Sequence, residues 1–507
     1  MTPRRATLEP FSLRWIARLC RLGNVRTALA GLVLALTALG PVQVRAAGDP
    51  VEAATARKLA AIRNQPLALE AFLRQMPKGG DLHNHLTGSI YAESYMRWAA
   101  QDQFCVVIAT FTLAPGPCDE AAGKPAATTV MQNSVLYNQA IDAWSMRTWP
   151  SGTNGHHHFF QAFAKFGAIP RSRDGDMLAE ITSHAAAEHV SYLELMLTPD
   201  GGTAARLGRE AGWPGGTPGP GEFGQLRQKL LASGWSEVLE RARQRLDAAE
   251  ARRREVLRCG SIDADAGCLV TVRYIAQVLR AGPPEEVFAQ ILAGFELSTN
   301  EPRIVGLNLV QPEDDPVAVR DFSLHMSILD FLRPLYPKAQ ITLHAGEISD
   351  ALVPPDVLRF HIRDSIRRGH AQRIGHGVDV MQEDDPYGLL REMAARKVLV
   401  EIALTSNDLI LGVSGARHPL RTYLQYGVPV ALATDDYGVS RSSHTLEWVK
   451  AVQEHALDYF TIKRMVRNSL EYAFVDPPTK ARLKQALENA FHQFEQQETA
   501  PPPRPRR

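Results

Sequence analysis

The sequence predicts an α/β fold of the TIM type, a (β/α)8 barrel with insertions after its first and second strands. Three observations carry this. Eight short, almost wholly apolar runs recur along the chain, helical stretches alternate with them, and polar residues fitted for chemistry gather where several runs end. The runs cover residues 80–83, 190–197, 269–278, 304–310, 341–344, 373–376, 398–404 and 428–434. Hydrophobicity that does not alternate is what a strand needs when both its faces are covered, as in a parallel sheet wrapped by helices. Segments such as 223–258 and 355–368 supply the helices. A chain of 507 residues, 45% apolar and 22% charged, can bury a large core, and a barrel with insertions can hold roughly 400 residues or more in one domain.

The two insertions leave the barrel after a strand, so both belong at its C-terminal face, where such barrels keep their sites. The longer, at about 95–185, contains the Cys105 to Cys118 loop and the run His156-His157-His158. Three consecutive residues cannot all face one ion on regular structure, and Phe159-Phe160 point to the start of a helix, so this run is not read as a metal site. The shorter, Gly/Pro-rich stretch spans 198–224. Both are expected to act as lids or substrate-selecting walls.

The ends of the chain differ from its middle. Six arginines precede a 13-residue apolar run at 28–40, and Val44-Arg45-Ala46 follows as a small-x-small cleavage pattern. This predicts a signal peptide over 1–46, a single metal-dependent domain over 47–495 and a disordered Pro/Arg tail over 496–507. The alternative, a membrane anchor, is too short, because 13 residues of helix rise only about 20 Å against a hydrocarbon core of about 30 Å. Cys20 lies before the apolar run, where a lipid-modified cysteine would have to follow it. The expected location is therefore the periplasm or the extracellular space. Without the leader, 49 basic and 54 acidic residues remain; no basic stripe favours nucleic acid and no later segment favours a membrane span. Four cysteines are left in two sequence-local pairs. The expected pairing is Cys105–Cys118 and Cys259–Cys268, the alternative four buried thiols. Oligomeric state has no signal in the sequence.

The chemistry sits at the strand ends. The first run closes on His83-Asn84-His85, the fifth on His344-Ala345-Gly346-Glu347, the sixth on Gly375-His376-Gly377 and the eighth on Thr434-Asp435-Asp436. Residues i and i+2 of a strand face one way, so His83 and His85 can present two imidazoles to one ion. His344 and the Asp435 carboxylate complete a three-nitrogen, one-oxygen set that suits one Zn2+ per chain and leaves a place for water. A bound ion lowers the pKa of its water. His376 is placed to orient and deprotonate that water, Glu347 to donate a proton, and Asp436, diverging from Asp435, to face substrate.

These motifs resemble the adenosine deaminase family of the metal-dependent amidohydrolase superfamily, and within it the secreted adenosine-deaminase-related growth factors. The matching segments are Met76-Pro77-Lys78-Gly79, Leu82-His83-Asn84-His85, Gly306-Leu307-Asn308-Leu309-Val310, His344-Ala345-Gly346-Glu347, Arg373-Ile374-Gly375-His376-Gly377, Ser406-Asn407 and Thr434-Asp435-Asp436. They keep the family's order over roughly residues 70 to 475. The resemblance implies zinc on His83, His85, His344 and Asp435, a proton from Glu347 to the ring nitrogen beside the attacked carbon, and water held by His376. Gly88, Gln311 and Asp436 would then bind a purine nucleoside, and the reaction would convert adenosine or a related 6-aminopurine nucleoside to inosine and ammonia. Two positions depart from the pattern. Thr87 stands where the cytosolic enzymes carry an acid that helps hold the ribose, and Gln311 stands near the glycine whose backbone contacts the purine, which leaves another aminopurine or modified nucleoside as the alternative substrate.

Three other readings have less support. A binuclear amidohydrolase needs a carboxylate or modified lysine at the end of the fourth strand, and 304–311 holds neither. The cytidine-type zinc deaminases use a Pro-Cys-x-x-Cys motif that is missing here. A catalytically inactive extracellular binding protein would have lost a ligand or the acid, and none is lost.

Overall fold

The computed structural model describes residues 49–500 apart from 170 and 217. The expected signal peptide at 1–46 lies outside the described residues, as does the end of the chain beyond 500. The eight expected runs form eight parallel strands: β1 (Gly79–His85), β4 (Val190–Leu197), β5 (Thr271–Leu279), β6 (Ile304–Val310), β7 (Thr342–Ala345), β8 (Arg373–His376), β9 (Leu399–Ile402) and β10 (Val430–Leu432). They pair as two four-stranded arrays, β1-β4-β5-β6 and β10-β9-β8-β7. Parallel bridges Leu307–Ile341 and Asn84–Asp435 join the arrays at both edges and close the barrel. Apart from β5, where four of nine residues are half-buried or exposed, the strands are buried nearly throughout, as their apolar runs require.

The second seam is held by side chains as well as backbone. Asp435 N–H donates to the His83 carbonyl and His85 N–H to the Asp435 carbonyl, both at 2.9 Å. Thr434 Oγ1 donates to Asp81 at 2.5 Å, and Asn84 Nδ2 donates to Thr434 Oγ1 at 3.0 Å. Inside the barrel, Arg373 lies between Glu194 (2.6 Å) and Glu401 (2.5 Å), with its guanidinium over the Phe474 ring.

The helices between strands start where their sequences provide for it. Pro284–Asn300, Pro316–Leu332, Pro386–Arg396 and Pro477–Thr499 each open on proline, whose missing N–H costs nothing in a first turn. Asp315, Asp385 and Asp476 cap three of them by accepting an N–H from the first turn. The stretch 223–258 is two helices, Pro220–Ala232 and Ser236–Val256, separated at Gly234, whose φ of +79° breaks the helical path. The last helix runs to Thr499, four residues into the stretch expected as a tail.

The insertions divide in role. After β1, a short antiparallel hairpin, β2 (Cys105–Val107) and β3 (Thr112–Ala114), precedes four helices up to Asp174–Ala187. One of these, Gly155–Phe166, carries the histidine run and faces the barrel mouth. The expectation that 198–224 forms a wall of the site is corrected. Its helix Thr203–Ala211 buries Ala204, Leu207 and Gly208 against the outer helix Pro284–Asn300, with Gly208 close to the Glu285 carbonyl, and no residue of 198–224 lines the central cavity. The cysteines pair as Cys105–Cys118 and Cys259–Cys268.

Candidate active site

The C-terminal strand ends bring the sequence-nominated residues together. His83 Nε2 lies 3.0 Å from His344 Nε2 and 3.5 Å from Asp435 Oδ1. His85 Nε2 lies 3.2 Å from His344 Nε2 and 3.3 Å from Asp435 Oδ1. A tetrahedral shell with metal–ligand distances of about 2.0–2.1 Å has edges of roughly 3.3–3.4 Å, close to these four separations.

Their partners fix which lone pairs point inward. His83 Nδ1 faces Glu401 Oε2 at 2.8 Å, and His344 Nδ1 faces Asn308 Oδ1 at 2.9 Å. Both acceptors call for a proton on Nδ1, which leaves two Nε2 lone pairs opposed at 3.0 Å. A proton on His83 Nε2 or a metal cation among the donors relieves that contact. The charge balance agrees: burial works against a charged His83, but Asp435 and Glu401 overcome it and pull its pKa up to about 10. The donor set therefore fits a divalent ion. His376 joins His83, His344 and Asp435 within 4.8 Å, but its own hydrogen bonds give it another part.

A chain of hydrogen bonds sets the His376 tautomer. The Leu420 amide can only donate, and it donates to His418 Nδ1 at 3.1 Å. His418 then carries its proton on Nε2, which donates to Asn407 Oδ1 at 3.1 Å. That orients the amide of Asn407, whose Nδ2 donates to His376 Nδ1 at 2.9 Å. Burial holds both imidazoles near a pKa of about 3 and hence neutral. A neutral His376 that accepts at Nδ1 bears its proton on Nε2. This Nε2–H is buried without a partner and lies 3.5 Å from Glu347 Oε1, too far for a direct bond and open to a third group between them.

The two carboxyls at the site's edge are of the other kind. Burial, and then the charge of Asp435, pushes Glu347 well above the usual carboxylate range. Asp436 is raised by burial, Asp435 and Glu347 in turn. Asp435 itself is held well below the usual range, because its contacts with His83 and His85 outweigh burial. The environment thus pushes the three carboxyls apart, Asp435 downward and Glu347 and Asp436 upward. Glu347 is fixed by its backbone: Glu313 accepts from Glu347 N–H at 2.8 Å and Gly346 N–H at 3.2 Å, while Gly346 turns the chain at φ +79°.

A cavity of about 370 Å³ opens over this cluster. His85, Thr87, Gln311, His344, Glu347, Asp435 and Asp436 line it. Gln311 adopts φ +80°, and its Oε1 accepts from Ala281 N–H at 3.0 Å. Gly88 does not line the cavity. A Cβ there would stand 1.4 Å from Asp436 Oδ1, so its expected contact with substrate becomes room for that carboxyl. His156 meets Asp314 at 2.9 Å and His158 donates to the Asp142 carbonyl at 2.9 Å, so the histidine run has separate structural partners. Sequence reasoning missed Glu401, Glu313 and His418, and quoted Asn308 and Asn407 without giving either a role.

A closed parallel barrel with three imidazoles and a carboxylate converging at its C-terminal rim, beside a buried carboxyl whose pKa is raised, defines the amidohydrolase class of barrel. The adenosine deaminase family model matches residues 148–490. The chain belongs to the adenosine deaminase family, whose chemistry is hydrolytic deamination of adenine- and adenosine-type substrates. It is 30% identical over 320 residues to an adenine deaminase of Sinorhizobium medicae, covering 62% of this chain and 80% of the relative. It is 32% identical over 152 residues to an adenosine deaminase of Enterococcus faecalis, covering 30% of this chain and 42% of that one. Among solved structures it resembles in fold an amidohydrolase of Burkholderia ambifaria with bound zinc (TM-score 0.55, 17% identity, 85% of this chain and 95% of that one). It also resembles the Arabidopsis N6-mAMP deaminase (TM-score 0.55, 18% identity, 83% and 99%).

Proposed function

We propose that the chain hydrolyses the 6-amino group of adenosine, or of a closely related 6-aminopurine nucleoside, releasing ammonia, with one zinc ion per chain. The observation that carries this is the convergence of His83, His85, His344 and Asp435, at edges of 3.0–3.5 Å, beneath a cavity that also holds the protonated Glu347. Zinc, when bound by those four residues, would polarise the attacking water near neutral pH.

The other steps belong to the chain's own side chains. Glu347 gives its proton to the ring nitrogen beside C6 as the tetrahedral centre forms there. His376 Nε2–H donates to the water oxygen and aims it; one water proton passes to the Asp435 carboxylate and from there to the departing amino group, which leaves as ammonia, and the other returns to Glu347 as the C6 carbonyl forms. Asp435 holds the water's other side as the ionised carboxylate, and Asp436, kept neutral, donates to the imidazole-ring side of the purine. Ser406 Oγ donates to Asp435 Oδ2 at 2.6 Å and leaves its Oδ1 for the ion.

Adenine is the second reading. Thr87 and Gln311 give the cavity no carboxylate for a ribose, and several relatives, the Sinorhizobium medicae protein among them, are adenine deaminases. The test offers adenine, adenosine, 2′-deoxyadenosine and N6-methyl derivatives to purified, zinc-loaded protein and follows ammonia. No ammonia from any of them would overturn the assignment. Secretion to the periplasm or beyond is proposed on the basic-then-apolar leader and on two cystines, which persist in oxidising compartments.

A further inference from the structure

Ser406, which bonds Asp435, and Asn407, which bonds His376, are neighbours in the first turn of the helix Leu404–Leu411. That helix starts just past the end of β9, and Ala403, its N-cap residue, has no side-chain oxygen to offer. The first N–H groups of a helix have no partner within it, and where they are buried each must find one elsewhere. Leu404, Ser406 and Asn407 are all buried.

The missing cap comes from another helix. Glu447 lies in the first turn of His444–His455 and is 1% exposed. Its Oε2 accepts Leu404 N–H at 2.6 Å, and its two oxygens accept Thr405 N–H at 3.2 and 3.3 Å. Burial pushes its pKa up to about 7, against the pull of Thr405, Leu404 and Lys450. One turn further on, Lys450 Nζ donates to Asp408 at 2.9 Å and ties the same two helices a second time. Glu447 does not line the cavity. It acts on the site only through the turn it caps, and a turn that frays releases Ser406 and Asn407 together.

We propose that Glu447 is a positioning residue for the deaminase reaction: by capping Leu404–Leu411 it holds Ser406 on Asp435 and Asn407 on His376, and so keeps the carboxylate and the water-orienting imidazole of two different strands in one geometry. The inference rests on the deaminase reading above and adds a residue remote from the substrate.

The test compares Glu447→Met, which removes the acceptor at similar length, with Glu447→Gln, which keeps one oxygen, and with Lys450→Met, which cuts only the second tie. Zinc-loaded proteins are assayed for kcat and KM on adenosine or adenine, whichever the wild type turns over faster, and the ¹⁵N shifts of the His376 ring are recorded without substrate. Glu447→Met should lower kcat about tenfold, as a lost N-cap implies, with KM unchanged. Its His376 ring should no longer hold the proton on Nε2 alone. Glu447→Gln should stay within about threefold of wild type on both counts, since its oxygen still accepts. Lys450→Met should lower the melting temperature and leave kcat and the His376 ring unchanged. A Glu447→Met protein with native kcat and His376 shifts, a Glu447→Gln protein as impaired as Glu447→Met, or Lys450→Met lowering kcat equally would overturn the positioning role and leave the deaminase reading standing. Should Glu447→Met not fold, Glu447→Asp decides, since it draws the oxygens back by one methylene: native kcat and His376 shifts there would also overturn the role. No ammonia from the wild type would overturn the deaminase reading, while the His376 shifts would still report on the cap.

Discussion

Asn407→Asp separates two roles that an active-site imidazole can play, because it reverses one hydrogen bond and changes almost no volume. In the native chain Asn407 Nδ2 donates to His376 Nδ1, which puts the ring proton on Nε2, toward the reacting water. An aspartate can only accept there, so His376 must move its proton to Nδ1 and turn an Nε2 lone pair into the site. The new carboxylate, at a fully buried position, would meet two donors, His376 Nδ1 and His418 Nε2. The fold should therefore tolerate it. Asn407 touches none of the four proposed zinc ligands, so metal content should stay at one ion per chain. If His376 acts as a donor, the variant loses one hydrogen bond to an oxygen of developing charge, about 1.5–3 kcal/mol. At about 1.4 kcal/mol per decade, kcat should fall roughly ten- to a hundredfold. The assay combines ammonia release, metal analysis and the ¹⁵N shifts of the histidine rings, which report the tautomer directly. An Asn407→Asp enzyme whose kcat is unchanged or raised, with the ring proton moved to Nδ1, would make His376 a base and refute the reasoning.

Other outcomes follow from the same geometry. Glu347→Gln should keep zinc and fold while losing about 10² to 10⁴ in turnover, the usual worth of a general acid; loss of metal in this variant would make Glu347 a ligand instead. His83→Ala and His344→Ala should lose both metal and activity, whereas Glu401→Gln, which removes the charge behind His83 Nδ1, should weaken zinc by about 10- to 100-fold in a chelator competition. Two tightly held ions in the wild type would contradict the single ligand set. On the export proposed above, the mature protein should begin near Ala47; it should show no free thiol when denatured, with peptides linked Cys105 to Cys118 and Cys259 to Cys268, and four titratable thiols would refute the pairing.

The residues that meet the ion and the substrate were legible because strand ends announce themselves: His-x-His at a two-residue spacing, and an acid three residues after a histidine. Their supports were not legible, since each lies on a different element from the residue it serves. Glu401 holds His83 across 318 residues of chain and Asn308 holds His344 across 36. A signal did exist. Glu194, Arg373 and Glu401 are charges inside otherwise apolar runs, and a charge on a strand buried on both faces must have a partner within the barrel. The wrong assignment of 198–224 has a different origin. Its glycines and prolines mark where regular structure stops, but the direction the chain then takes depends on Leu207 and Gly208 finding an outer helix.

The seam between β1 and β10 has a consequence for how the protein comes into being. His83, His85 and Asp435 are themselves the residues whose backbones join there, so the first and last staves of the barrel meet at the ligands. Contacts between segments so distant in sequence form late, after the loop between them has been closed. Until the final stave arrives, a growing or translocating chain holds two imidazoles on an unpaired edge with nothing opposite them. The proposed ligand set is therefore complete only when the ring is, and a chain truncated before residue 430 would lack both Asp435 and the strand that closes the barrel.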